Sequence, residues 1–518
     1  MKKITTFLFV GLLAFSHLLY SQTKEEIIES IVEEATENSQ LEQLAFELLD
    51  EIGPRLVGTP QMKKAHDWAV AKFAKWGITA ENRQYGEWRG WERGVSHIDM
   101  IKPRVKSIEG MQLAWSPASP KKGITAEVVI LPTNITDSVS FARWLPSVKG
   151  KIVLISQPQI TGRPDYNWEE FATEASFEKM KEERSAQNEA WADNIRKSGY
   201  TSRNIQAPLE KAGAVALVQS HWSRGFGANK IFSARTKNIP VVDISLEDYG
   251  TLYRLAENGK KPEIRIYTES KELGVVPTFN TIATIPGTEK PNEYILLSAH
   301  FDSWDGGTGA TDNGTGTITM MEIARILKKI YPNPKRTIII GLWGGEEQGL
   351  NGSRAFVKDH PQIVENIQVV FNQDNGTGRV VDINGQGFLH AYDFIGRWLE
   401  AVPNDYKNEI KTTFPGTPSG GGSDHSSFVA AGAPAFMMSS LNWSYWNYTW
   451  HTNRDTYDKV VFDDVRSNTI LIAIMTYMAS EDPERTNRER RVLPLNRRTG
   501  EQMEWPTPRD GNRKGGLD

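Results

Sequence analysis

The pattern of hydrophobic and polar residues differs between three regions of the chain. Between residues 24 and 49, apolar residues recur at helical spacing with acidic residues between them, and a second amphipathic pattern covers about 61–76. The Gly- and Pro-containing segment 53–60 lies between these two patterns. We therefore expect two helical regions joined by a turn at the start of the chain.

The second region begins near Gly123 and consists of short apolar runs separated by polar stretches. Runs of this length, flanked by Gly and Pro, are typical of buried strands. The polar stretch 168–200 between them favours solvated helices. We interpret 123–269 as an inserted α+β domain that forms a lid over the main domain. The predicted strands are 128–131, 152–155, 214–218 and 239–242.

From Asn280 onward, strand and helix patterns alternate, with a helix predicted over 317–330. Such alternation is typical of an α/β three-layer sandwich with a largely parallel central sheet. The main domain would comprise 22–122 and the catalytic part 270–485, and 486–518 would be an extended or loosely packed polar tail. The predicted strands are 294–299, 337–343, 369–373 and 435–438.

The first residues have the pattern of a secretory signal peptide, with Lys2 and Lys3 before an apolar run and Ser21 at a plausible cleavage position. The alternative is a membrane anchor, but the run is short for a span of roughly 20 residues. We expect residues 1–21 to be removed and the mature protein to be exported, periplasmic or secreted, with no stable membrane insertion.

Composition narrows the candidate chemistry further. The formal net charge of -4 does not favour a nucleic-acid partner. The chain contains no cysteine, so an exported protein of this sequence has no disulfides. Any catalytic metal must therefore be bound by His, Asp and Glu.

Charged side chains follow three consecutive predicted strands, at the point where each strand ends. Because the carboxyl ends of parallel strands meet at one edge of a sheet, these groups should lie close together. Clustered carboxylates are costly to desolvate unless cations neutralise them, and imidazole with carboxylate ligands suits zinc. One of two adjacent glutamates can bind metal while the other deprotonates a water. The residues are His300, Asp302, Asp312, Glu346, Glu347 and Asp374.

Four segments of the sequence resemble the motifs of co-catalytic zinc exopeptidases of the aminopeptidase and glutamate carboxypeptidase type. They are 300–314 (HFDSWDGGTGATDNG), 343–353 (WGGEEQGLNGS), 372–374 (NQD) and 451–456 (HTNRDT). The Ser-Trp-Asp at 303–305 is similar to the carboxypeptidase Q members of that family. The inserted segment resembles a protease-associated domain.

This resemblance implies a role for each residue of the cluster. Two zinc ions would share one bridging carboxylate, a general base would activate water and later protonate the leaving amine, and a second carboxylate would orient a histidine ligand. It also implies a cis peptide bond after Asp312. The implied metal ligands are His300, Asp312, Glu347, Asp374 and His451, the base is Glu346, and the orienting carboxylate is Asp302.

The resemblance implies hydrolysis of terminal peptide bonds in short peptides, by carboxypeptidase or dipeptidase action. Aminopeptidase action is the alternative, and a catalytically dead binding ectodomain is a further one, disfavoured because all five ligands and the base are present. A homodimer is a candidate assembly. A carboxypeptidase needs a cation for the substrate carboxylate, for which Arg454 is a candidate.

The sequence departs from the small aminopeptidases of this family in one respect. Those enzymes carry an oxyanion-stabilising tyrosine shortly before a Ser-Asp-His motif, whereas here three glycines, 420–422, precede Ser423-Asp424-His425. The candidate donors are Tyr445, Tyr448 and His425. The aromatic run 442–450 either walls a substrate pocket or packs as a loop.

Overall fold

The computed structural model describes residues 23–496 and 498–516. The predicted signal peptide, 1–21, lies outside the described residues. Within those ranges, no helix combines the length and the apolar character needed to cross a bilayer.

Most strands of the described chain belong to one continuous sheet. The strands are β1 (Thr79–Lys102), β2 (Lys106–Ser107), β3 (Gly110–Gln112), β4 (Ile124–Ile130), β5 (Ile152–Leu154), β6 (Ala216–Gln219), β7 (Trp222–Gly225), β8 (Ala228–Asn229), β9 (Val241–Ile244), β10 (Glu263–Ile285), β11 (Lys290–His300), β12 (Arg336–Trp343), β13 (Ile367–Asn372), β14 (Val380–Asn384), β15 (Lys411–Thr413), β16 (Ala435–Ser440) and β17 (Lys514–Gly515).

Several helices begin at capping residues, such as Thr23, Thr59 and Ser245, whose side chains accept hydrogen bonds from the first turn. They are α1 (Lys24–Glu37), α2 (Leu41–Ala45), α3 (Pro60–Lys75), α4 (Ser138–Trp144), α5 (Asp165–Phe171), α6 (Glu174–Lys197), α7 (Gln206–Lys211), α8 (Leu246–Glu257), α9 (Thr315–Ile330), α10 (Asn351–Asp359), α11 (Pro361–Glu365), α12 (Ala391–Glu400), α13 (His425–Ala430), α14 (Tyr445–Tyr448) and α15 (Phe462–Glu481).

The main domain has the order β15-β14-β16-β13-β11-β12-β10, and the four strands β16, β13, β11 and β12 are parallel. The strands β12 and β13 lie on opposite sides of β11, so right-handed crossovers place α9 on one face and α10 with α11 on the other. Helix α15 packs on α9, and α13 packs on α10. This confirms the predicted α/β sandwich with a largely parallel sheet.

Each predicted strand of the main domain is present, and its ends lie within four residues of the expected ones. All residues of β12 and β13 are buried, as expected for central parallel strands. The buried core of this domain extends from Ile28 in α1 to Ala479 in α15.

The inserted segment continues the same sheet through the long antiparallel pair β1 and β10, which is followed by β4, β5, β6, β9 and β3. Strands β4, β5, β6 and β9 are parallel. Ile98, Met100 and Ile108 pack in the core of this segment together with Val128. The core of the inserted segment therefore reaches N-terminally beyond the boundary expected at residue 123.

The tail after α15 is extended and mostly exposed, and it is anchored to the rest of the chain at a few positions. Trp505 lies against the ring of Phe388, with 5.8 Å between ring centroids. Strand β17 pairs with β1, where Gly515 lies opposite Trp88. These few anchoring contacts could not be predicted from the polar composition of the tail.

Candidate metal centre and active site

The candidate site lies at the carboxyl end of the parallel strands, where the order of strands reverses around β11. In register, His300 at the end of β11 lies opposite Trp343 of β12, and Ser298 lies opposite Asn372 of β13. The residues that follow β12 and β13 therefore meet His300 at one edge. This is the position at which open α/β sheets bind their ligands.

His300, Asp312 and Asp374 form the first group of potential ligands, and all three are buried. The Nε2 atom of His300 lies 3.3 Å from Oδ1 of Asp312 and 3.3 Å from Oδ1 of Asp374. Burial would lower the pKa of His300, but the charges of Asp374 and Glu346 outweigh it and raise that pKa. The pocket is therefore one that attracts positive charge.

Asp312, Glu347 and His451 form the second group. The Nε2 atom of His451 lies 2.9 Å from Oε2 of Glu347 and 3.4 Å from Oδ2 of Asp312. The two oxygens of Asp312 thus face different histidines, as a bridging carboxylate would. The peptide bond between Asp312 and Asn313 is cis, as the resemblance implied.

The donor set fits a pair of metal ions. Oδ2 of Asp312 and Oε1 of Glu347 are buried and have no hydrogen-bond partner among the described residues, which is costly for a carboxylate unless a cation neutralises it. In each group the potential ligand atoms lie within 4.8 Å of one another. Imidazole and carboxylate donors at this spacing are the ligands that zinc prefers in open sites.

Asp302 supports this site in two ways. Its backbone carbonyl oxygen lies 2.9 Å from Nδ1 of His300, whereas its carboxylate Oδ1 is 3.8 Å away. The main chain therefore orients the imidazole and leaves Nε2 facing the carboxylates. The carboxylate of Asp302 instead accepts the backbone N–H groups of Glu346 and Glu347, at 3.0 and 3.2 Å. It thereby fixes the turn that carries both glutamates.

Glu346 lies within range of several other charges of the cluster. Burial raises its pKa well above the usual value, His300 opposes this increase, and Asp374 and Asp424 add to it. A raised pKa makes the carboxyl group a better proton acceptor than an exposed glutamate. Sequence reasoning chose Glu346 over Glu347 only through the family resemblance, and it is Glu347 whose carboxylate meets His451.

Two residues that the sequence reading left without a role hold the loop between His300 and Asp312. The carboxylate of Asp455 accepts the backbone N–H groups of Thr311 and Asp312, at 2.8 and 3.0 Å. The buried guanidinium of Arg55 donates to the carbonyl of Gly53 at 3.3 Å and to three carbonyl groups of this loop, at 2.8 Å each. Those carbonyls belong to Phe301, Thr308 and Gly309. The signal for Arg55 was the conspicuous Gly-Pro-Arg turn, which was interpreted only as a turn.

The three candidate oxyanion donors have different positions. Tyr445 is buried, and burial together with the charges of Asp312 and Asp374 raises its pKa well above normal. The hydroxyl of Tyr448 instead lies 3.4 Å from that of Tyr166 in the inserted segment. His425 is buried, and burial lowers its pKa to about 4, so it is a neutral imidazole.

The aromatic run 442–450 is divided between two environments. Trp450 stacks on the imidazole of His451, with 3.9 Å between ring centroids, whereas Trp443 and Trp446 are exposed. The rings of Phe232 and Trp304 also lie near this imidazole, with 5.3 and 6.0 Å between ring centroids. Trp450 at the end of the run therefore lies at the site together with the buried Tyr445, whereas Trp443 and Trp446 face solvent.

Arg454 does not face the cluster as a free cation. Its guanidinium forms an ion pair with Glu109 and donates to the carbonyl of Gly227 at 2.8 Å. Both partners come from outside the metal cluster. The arginine therefore joins the loop after His451 to the inserted segment.

The sequence profile of peptidase family M28 matches residues 280–475. Carboxypeptidase Q from Homo sapiens is 30% identical over 351 residues, which cover 68% of this chain and 67% of the human protein. Carboxypeptidase Q from Pongo abelii is 28% identical over 369 residues, which cover 69% of each chain.

Two solved structures share the fold. A peptidase M28 precursor from Shewanella amazonensis SB2B superposes with a TM-score of 0.65 at 22% identity, covering 90% of this chain and 99% of that one. A zinc aminopeptidase from Bacillus subtilis superposes with a TM-score of 0.53 at 19% identity, covering 85% and 94%.

Proposed function

Because this chain belongs to peptidase family M28, we propose that it is a co-catalytic di-zinc exopeptidase that removes terminal residues from short peptides. The family assignment makes the chain a metallo-exopeptidase. The number of zinc ions, the residue roles and the terminus that is cleaved are parts of the proposal. The observation that carries it is the pair of ligand groups that share Asp312.

In this proposal His300, Asp374 and Asp312 hold one zinc ion, and Asp312, Glu347 and His451 hold the other. Zinc ions bound there would polarise the scissile carbonyl group and lower the pKa of a water molecule. The buried oxygens of Asp312 and Glu347 that lack hydrogen-bond partners would thereby be neutralised.

The residues of the chain carry the proton transfers. Glu346, held on the turn that Asp302 fixes, accepts a proton from the attacking water and later donates it to the leaving amine. Tyr445 donates a hydrogen bond to the oxygen of the scissile carbonyl as negative charge develops there. Its buried position beside Asp312 supports this role better than the position of Tyr448 does.

For specificity we propose carboxypeptidase or dipeptidase action, as the name of the carboxypeptidase Q relatives indicates for those proteins. Aminopeptidase action is the second candidate, since a structural neighbour is a zinc aminopeptidase. A dead binding ectodomain is disfavoured because the full ligand set and Glu346 are assembled.

Export to the periplasm or medium, with removal of residues 1–21, remains part of the proposal. Homodimer formation stays a prediction.

The test compares the wild-type protein with Glu346→Gln after the zinc content of both has been measured. We expect about two zinc ions in each protein and a loss of about 10² to 10⁴ in kcat on an unblocked dipeptide for the variant. Activity that survives the substitution, or a wild-type protein that binds no zinc, would contradict the assignment. N-acetylated and C-amidated forms of the dipeptide identify the terminus.

A further inference from the structure

One cation of the inserted segment lies beside the loop that carries His451. Lys230 follows β8, in the same hairpin as β7, and forms an antiparallel bridge to Thr452, the residue after His451. The backbone N–H of the next residue, Ile231, donates to the carbonyl of His451 at 2.9 Å. The lysine therefore lies beside the loop that supplies the last histidine.

The main chain at this position is anchored on both sides. The backbone N–H of Asn229 donates to Oδ1 of Asn453 at 2.9 Å, and its side-chain amide donates to Asp243 and to the carbonyl of Ile244. The backbone N–H of Lys230 donates to the carbonyl of His221 at 2.9 Å. Because of these bonds, the origin of the lysine side chain is fixed relative to His451.

The ammonium group of Lys230 lies 3.8 Å from the ring centroid of Trp450, which itself stacks on His451. Across residues 23–496 and 498–516, no carboxylate forms an ion pair with this ammonium. Burial lowers the pKa of Lys230 to about 8, while the nearby charge of Asp312 raises it. The group is thus a half-buried cation beside the metal cluster that lacks an anion.

Arg454, the cation that the sequence suggested for substrate binding, contrasts with Lys230. Its guanidinium already has an ionic partner in Glu109 and a carbonyl acceptor in Gly227. A substrate carboxylate would have to displace Glu109 to reach it. At Lys230 the described part of the chain supplies no such competitor. The cation–π contact with Trp450 leaves the ammonium hydrogens available on the side away from the ring.

We propose that Lys230 is a specificity-determining residue that binds the free α-carboxylate of a short peptide while the adjacent peptide bond lies at the metal cluster. This inference rests on the proposed exopeptidase function and narrows it to enzymes that recognise the C-terminus. It assigns to the inserted segment the recognition of the substrate end, and to the main domain the hydrolysis. A longer substrate whose α-carboxylate lies far from the cleaved bond would leave the Lys230 ammonium without an ionic partner.

Two substitutions separate charge from packing. Lys230→Met keeps an unbranched apolar stem on Trp450 but removes the ammonium, and Lys230→Arg keeps the positive charge. A charge-assisted hydrogen bond of this type contributes about 10- to 100-fold in affinity. Thermal unfolding of both variants would show that the fold is retained.

The first measurement is binding to the zinc-loaded, inactive Glu346→Gln protein. We expect Lys230→Met in that background to weaken binding of Ala-Leu by about 10- to 100-fold and to leave binding of Ala-Leu amide within about 3-fold. Lys230→Arg should recover most of the lost affinity. Equal weakening of both ligands, or no weakening of either, would overturn the proposal.

The second measurement uses the active protein. Lys230→Met should raise KM for Ala-Leu more than it lowers kcat, and Arg454→Met should change this KM much less. A loss confined to kcat would assign Lys230 to the reaction centre and overturn carboxylate binding. A failure of the exopeptidase proposal would give a different result. The wild-type protein, which carries Lys230, would then bind no zinc or would not hydrolyse the dipeptide.

Discussion

The two halves of the continuous sheet both contain parallel strands, but their carboxyl ends differ in how polar groups are satisfied. In the inserted segment, β5 leads to Ser156 and β9 contains Asp243, and both residues are bonded within the protein. The hydroxyl of Tyr249 donates to the carbonyl of Ser156 at 2.6 Å. In the main domain, the corresponding ends lead to the carboxylates of the metal cluster.

The contrast is clearest between two buried aspartates. Asp243 is 1% exposed, and its carboxylate accepts hydrogen bonds from Asn229, Gln219 and the backbone N–H of His221. Asp312 is 4% exposed, and its Oδ2 has no hydrogen-bond partner among the described residues. Both aspartates are buried, but both oxygens of Asp243 accept hydrogen bonds from the protein, whereas one oxygen of Asp312 accepts none among the described residues.

This difference explains which edge can bind a ligand. A buried carboxylate without donors is tolerated where a cation supplies the missing compensation. The parallel-sheet edge is therefore not sufficient for a metal site. What distinguishes the edge in the main domain is the group of carboxylates around His300 and His451, two of whose oxygens have no hydrogen-bond partner among the described residues.

The largest expected effect breaks this contrast directly. Asp312→Asn should reduce zinc binding from about two ions to one or none and lower kcat by about 10⁴-fold or more, because the shared ligand is lost. Asp243→Asn is the matched control, which should retain zinc while losing hydrogen bonds. Zinc content and dipeptide hydrolysis check both. Retention of two zinc ions by Asp312→Asn would disprove the bridging role.

A second pair of variants sharpens the comparison at the level of one hydroxyl group. Tyr445→Phe should lower kcat by about 10²-fold, because an oxyanion donor contributes at least that much. Tyr448→Phe should have little effect, since that hydroxyl contacts Tyr166 of the inserted segment. Steady-state kinetics with zinc-loaded proteins measures both. Equal effects of the two substitutions would remove Tyr445 from its proposed position.

The smallest expected effect is a pH dependence of stability. Burial raises the pKa values of Asp424 and Asp455 to about 7. A carboxyl group whose pKa is higher in the folded state favours folding when protonated, so stability falls as pH rises from about 4 to 7.

This loss should be larger without zinc, because bound cations would stabilise the ionised carboxylates. We expect the difference in Tm between zinc-loaded and chelated protein to grow by at least about 2–4 °C between pH 5 and pH 8. Thermal unfolding at several pH values measures it. A difference that shrinks as pH rises would contradict the predicted direction.

The fold was largely predictable because central parallel strands produce continuous apolar runs. The run of β12 is buried along its whole length, and its prediction was correct to one residue. The domain boundary expected at residue 123 was harder to predict. The strands β1 and β10 pass through both parts of the sheet, and their composition does not change where one part meets the other. The tail was interpreted from its polarity, which does not reveal a few anchoring aromatic contacts.

The ligand types and their order along the chain were determined by the sequence alone. His300, Asp312, Glu347, Asp374 and His451 occur in motifs whose resemblance to zinc exopeptidases is specific, and the chain offers no cysteine as a competing ligand. The alternation of strands also required that His300 and Asp374 lie at one edge.

Only the tertiary structure decided which groups support that edge. Lys230 precedes His451 by 221 residues and lies in none of the four motifs, and Asp455 lies in the last motif but had no assigned role. Their positions follow from the pairing of the β8 segment with the loop after His451 and from hydrogen bonds to the backbone of Asp312. Hydrogen bonds and ion pairs depend on distances of about 3 Å, which a periodic pattern of apolar residues does not specify.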